Sequence, residues 1–108
     1  MKIIKFLNDF QENHAERSFC PKETYKLIYL NPIIPMSWGL HDVIKISDAG
    51  LMFKVNGKLH KGRVLITLAW NDTYTIKLLN NRFRVLKTSE NVYFDQLVSF
   101  IDSMVETK

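Results

Sequence analysis

Residues 51–87 read LMFKVNGKLHKGRVLITLAWNDTYTIKLLNNRFRVLK, and the alternation in this stretch sets the architecture. Four runs, Leu51–Val55, Lys58–Trp70, Thr73–Leu79 and Arg82–Lys87, are bounded by turn residues. Apolar side chains recur at alternate positions, the period of a strand with one buried face. Asn56-Gly57 is the strongest hairpin signal, since both residues accept a positive φ, and Asn80-Asn81 is a weaker signal of that type.

Facing residues of an antiparallel pair keep a fixed register, and a slip of one residue exchanges the faces. The hydrophobic pattern therefore chooses between loop lengths. A two-residue turn at Asn80-Asn81 sets Leu78 opposite Phe83, Ile76 opposite Val85 and Lys77 opposite Arg84. A two-residue turn at Asn56-Gly57 sets Leu51 opposite Gly62. At Asn71-Asp72 a two-residue turn would mix the faces, so a three-residue loop, Asn71–Thr73, is expected, with Leu68 opposite Ile76. One face then carries Phe53, Val55, Val64, Ile66, Leu68, Trp70, Tyr74, Ile76, Leu78, Phe83 and Val85. Ile44 and Ile46 join it from a preceding strand, across a four-residue connection at Ser47–Gly50.

Such a face needs a cover. A helix is expected from Glu90 to Val105, with Ser89 as N-cap and a stripe of Phe94, Leu97, Phe100, Ile101, Met104 and Val105. A second helix is expected from Lys2 to Asn13, where Ile3, Phe6, Leu7 and Phe10 share a side. Between them, Pro21, Pro32 and Pro35 exclude a long helix. Thr24–Leu30 reads as an edge strand and Asn31–Met36 as an apolar, proline-bounded loop. The expected fold is α+β: a single antiparallel meander of four to six strands, with N-terminal and C-terminal helices mainly on one face.

The 108 residues suit a single domain, 1–108, and 46% apolar content excludes a disordered polymer. No apolar run approaches the roughly 20 residues of a membrane span. The apolar N-terminal stretch is broken by Asn8, Asp9, Gln11 and Glu12 with no small-residue cleavage site, so a cytoplasmic location is expected. The single cysteine, Cys20, fits a reducing compartment and reads as a small buried hydrophobe.

Motifs for chemistry are weak. Gly57 and Gly62 have the spacing of a phosphate-binding loop, but Arg63-Val64 follows in place of Lys-Ser/Thr, and a strand in place of a helix. Lys61-Gly62 lacks the stacking aromatics of an RNA-recognition strand. His14, His41 and His60 are too scattered for a metal site. Asp95, Asp102 and Glu106 share one side of the terminal helix, the pattern of a solvated face. No catalytic residue, metal or cofactor is expected.

Charge is the feature that stands out. Residues 49–88 hold eight basic residues against one acid, Asp72, a balance of +7, whereas the rest of the chain nets −3. The expected register turns Lys54, Lys61, Arg63, Lys77, Arg82 and Arg84 away from the apolar face. That outer face also carries Met52, Leu65, Ala69, Leu79 and Leu86, so the N-terminal helix or a partner would cover part of it. The expected function is a non-enzymatic binding or accessory module. It would meet an acidic protein through this basic face and the 31–38 loop, where Trp38 reads as a lid on the edge of the core or, for a partner, as an exposed anchor. The alternative is nucleic-acid binding, with Lys54, Arg63, Lys77, Arg82 and Arg84 on phosphates.

Overall fold

A computed structural model describes residues 19–46, 50–69 and 71–105. The expected Lys2–Asn13 helix, most of the Ser47–Gly50 connection and Trp70 lie outside them. Five strands form one antiparallel sheet in sequence order: β1 (His41–Ile46), β2 (Gly50–Asn56), β3 (Lys61–Leu68), β4 (Tyr74–Leu79) and β5 (Val85–Val92). Helices α1 (Pro21–Ile28) and α2 (Ile33–Ser37) precede the sheet, and α3 (Leu97–Val105) follows it. The α+β meander expected from the alternation is the fold observed.

The segment expected to be a strand, Thr24–Leu30, lies mostly in α1. Pro21, read above only as an interruption, occupies the first turn of that helix. Proline is favoured there because its missing N–H would have no helical partner. Glu23 in the first turn and Lys26 in the last complement the helix dipole. Thr24 and Ile28, one turn apart, face inward, and the Thr24 hydroxyl meets the Tyr74 hydroxyl at 3.0 Å.

The C-terminal helix is shorter than expected. Ser89 and Glu90 belong to β5, where Ser89 pairs with Ile76, and helix begins only at Leu97. Phe94 is consequently exposed, while Leu97, Ile101, Met104 and Val105 are buried.

The turns shift along the chain, and the size of each shift decides what survives. Gly57 N–H donates to His60 O at 3.0 Å, so the β2–β3 turn is centred on Lys58-Leu59, two residues later than expected. Ala69 N–H donates to Thr73 O at 2.8 Å, closing the three-residue β3–β4 loop one residue earlier than expected. Moving a turn along the chain without changing its loop length shifts the register by an even number and preserves the faces. Val64 now faces Phe53, and Ile66 faces Ile76, with Leu68 opposite Tyr74.

The other two connections differ in parity. Asn80 N–H donates to Arg84 O at 3.0 Å around a three-residue loop, with Phe83 at φ 65°. Val85 consequently pairs with Leu79, and Lys77 pairs with Thr88, not with Arg84. Ile46 pairs with Gly50, leaving three residues between β1 and β2 where four were expected. Ile44, Ile46 and Phe83 therefore leave the inner face and pack on the outer one.

The inner face and the helices share one core. Phe53, Val55, Val64, Ile66, Ile76 and Leu78 meet Ile28, Trp38, Leu97, Ile101 and Val105. Trp38 is the knot. Its indole N–H donates to the Asp102 carboxylate at 2.8 Å, its ring stacks near Phe53 at 6.5 Å, and its carbonyl accepts the Asn56 N–H at 2.7 Å. One residue thereby ties α2 to β2 and α3. The β2–β3 turn closes against the C-terminal end of α3, where Leu59 N–H donates to Val105 O at 2.8 Å. A side chain at Gly57 would collide with Val105 backbone, so glycine is required for this approach.

The outer face is a second, smaller core. Met52, Leu65 and Leu79 are fully buried, with Ile44, Ile46 and Phe83 packed around them. Thr67 and Thr75 on the same face are buried as well. The cover that the N-terminal helix was expected to provide lies outside the described residues.

Candidate functional site

Two surfaces hold what the sequence singled out. The first is the end of the sheet where β2 finishes and β3 begins. Arg63 pairs with Lys54 across β2–β3, and His41 pairs with Lys54 on the other side. Next along, Lys61 pairs with Asn56. The Asn80–Arg84 turn lies beside them, and a cavity of about 310 Å³ opens between His41, Lys54, Asn56, Lys61, Gly62 and Asn81. The Asn80 carboxamide oxygen accepts from the backbone N–H of Arg82 at 2.8 Å and of Arg84 at 3.0 Å. This fixes the turn while both arginine side chains stay exposed. Phe83 is held in the left-handed region, an uncommon conformation for a bulky residue.

The basic residues there are not equivalent. Lys54 is an ion-pair partner of Asp42 at 3.6 Å. Arg63 is only 8% exposed, with its guanidinium carbon 4.3 Å from the centroid of the Phe83 ring. Its Nε is a buried polar atom with no hydrogen-bond partner. Burial pulls the Arg63 pKa below its ordinary value, and the negative charge of Asp42 opposes that shift. Lys77 lies one row along the sheet, flanked by Leu65 and Thr88. The expected basic platform is thus divided. Its middle is apolar and buried, and its exposed cations, Lys61, Arg82 and Arg84, gather at one end.

The second surface surrounds the 31–38 segment. Trp38, a lid on the core in one reading and an exposed anchor in the other, is fully buried and so packs as the lid. Its neighbours are the exposed ones: Leu30 at 78%, Ile33 at 74% and Met36 at 70%, together with Phe94 at 66%. Ile33 and Met36 lie three apart in α2, and so on one side of it. A groove of about 360 Å³ runs between Leu27, Leu30 and Ile34 on one wall and Phe94 and Val98 on the other, with Asp95 at its rim. No charged residue occurs between Lys26 and His41. The sequence signalled this surface as an apolar, proline-bounded contact loop. Leu30 and Phe94 were missed because the first had been assigned to an edge strand and the second to the apolar stripe of a helix.

Cys20 is exposed just before α1, against the buried position expected for it. Among the described residues, no group of three or more His, Cys, Asp or Glu is placed to hold a metal ion. No described helix is long and apolar enough to cross a membrane. No protein-family model, curated protein or solved structure gives a significant match to the chain.

Proposed function

We propose that this chain is a non-enzymatic binding module that captures a short apolar segment of a partner protein in the groove between α1, α2 and α3. The observation that supports the reading is the exposure of Leu30 and Phe94 in the walls of a groove whose described lining holds no basic side chain, with Ile33 and Met36 of α2 exposed as well. Four large side chains, each about 70% exposed, present on the order of 400–700 Å² of mostly apolar surface. A typical monomer's largest apolar patch is roughly 300–600 Å², and such patches are often functional. A stable dimer buries about 800 Å² per partner. The area suits a peptide-sized occupant better than a second copy of the chain. Asp95 at the rim favours a Lys or Arg beside the partner's apolar anchors.

A photo-crosslinking residue at Ile33 tests this, with one at the exposed Lys45 as control. The expected result is a partner captured from Ile33 alone, and lost when Leu30→Asp and Phe94→Ser are combined in a chain that still folds. Capture indifferent to those substitutions overturns the proposal. So does a concentration-dependent dimer that Leu30→Asp dissociates, since the occupant would then be the chain itself.

A further inference from the structure

We infer that the cationic end of the sheet binds the phosphoryl group of a small ligand, of the size of a sugar phosphate or mononucleotide. The inference stands apart from the groove, which lies among the helices. The cavity of about 310 Å³ is lined by His41, Lys54, Asn56, Lys61 and Asn81, and no carboxylate lines it among the described residues. Small-molecule sites begin at roughly 300 Å³. Lys54 and Lys61 come from adjacent strands, two residue pairs apart. His41 Nδ1–H donates to the Gly39 carbonyl at 2.6 Å, so Nε2 would donate to a phosphoryl oxygen only from the doubly protonated ring. Arg82 and Arg84 stand exposed in the turn that contributes Asn81.

Charge balance carries the argument. Lys54, Lys61 and Arg63 crowd two neighbouring strands, and Asp42, ion-paired to Lys54 and acting on Arg63 only through its field, is one negative charge among three positive ones. Arg63 is more than nine-tenths buried, next to the cavity-lining Gly62 and opposite Lys54, with an orphan Nε. A buried cation without a hydrogen-bonded counter-ion is costly. A phosphoryl dianion seated between the lysines would relieve that repulsion and accept charge-assisted hydrogen bonds. A strand of nucleic acid fits the layout less well. It needs cations and aromatic platforms spread along a track, and here Lys54 and Lys61 line one hollow beside a buried apolar centre.

Titration of the labelled chain with inorganic pyrophosphate and with AMP, at fixed ionic strength and followed by amide NMR shifts, tests the site. Saturable shifts are expected at residues 54–62 and 80–84. Lys54→Gln and Lys61→Gln should each weaken binding about tenfold, the worth of one hydrogen bond to a charge. Asp42→Asn should tighten it about threefold, because it frees Lys54 from a surface ion pair. Asp42 adopts φ 52°, a conformation asparagine accepts, so that variant keeps the backbone. A variant that only disturbed the fold would not tighten binding. The inference is overturned if about 10 mM pyrophosphate, far above a millimolar Kd, produces no saturable shift. It is also overturned if Lys61→Gln binds as well as the parent, or if affinity rises with oligonucleotide length, which would reassign the site to a polymer.

Discussion

The two faces of the sheet are built from the same five strands and differ in kind. The inner face is a continuous aliphatic and aromatic layer closed by three helices, and Trp38 adds a polar tie to Asp102. The outer face sets a small core of Met52, Leu65 and Leu79 beside a buried arginine stacked on a strained phenylalanine. One face is mostly apolar, with polar groups at its margins. The other combines an apolar middle with a buried cation at its end whose Nε has no hydrogen-bond partner. Alternation along a strand thus states which residues share a side, and leaves open whether that side meets water.

Truncating both cores tests the contrast most severely. Phe53→Ala should cost about 3–5 kcal/mol in chemical denaturation, and Leu65→Ala about 2–5 kcal/mol. If the outer face were merely a solvated surface, Leu65→Ala would change stability by no more than about 0.5 kcal/mol. Trp38→Phe keeps the ring contacts and removes the indole donor, so a loss of about 1–3 kcal/mol is expected. Arg63→Met points the other way. The thioether can lie against Phe83 with no charge to bury, and a gain of about 1 kcal/mol is expected by the same measurement. A loss there would mean that the arginine is better compensated than its geometry indicates. The smallest effect belongs to alkaline pH. Burial raises the Tyr29 pKa above its ordinary value, helped by the hydrogen bond and charge of Tyr25. The unfolded phenol then ionises first, so stability falls as pH rises past the ordinary tyrosine range. Tyr29→Phe should remove that share of the slope in denaturation curves recorded between about pH 9 and 11.

How much of this was legible follows from particular residues. The strand cores at 51–55, 64–66 and 74–78 were readable because β-branched and large apolar side chains alternate there. Asn56-Gly57 marked a hairpin correctly and its centre wrongly, since Gly57 serves the contact with Val105 and the chain turns at Lys58-Leu59. Faces survived wherever a turn moved along the chain with its loop length unchanged. They exchanged for Ile44, Ile46, Phe83 and Val85, where the loop parity was misread. Phe83 occupies a left-handed loop position that usually calls for glycine, so no local signal announced the three-residue turn. α1 was misread because Tyr, Ile and Leu favour strands on paper, while Pro21 and the burial of Thr24 and Ile28 on one side favour helix. Of the candidate contact residues, the exposed turn arginines kept their expected accessibility, while Arg63 and Trp38 did not. A long side chain's burial depends on which neighbours reach it, and that information is tertiary.

The hydrogen bond from Leu59 to the last turn of α3 joins a hairpin tip to a distant helix through a single amide proton. That proton is a built-in gauge. In heavy water it would exchange only when the helix lifts from the hairpin, so its lifetime would count undocking events without any label on the helix itself.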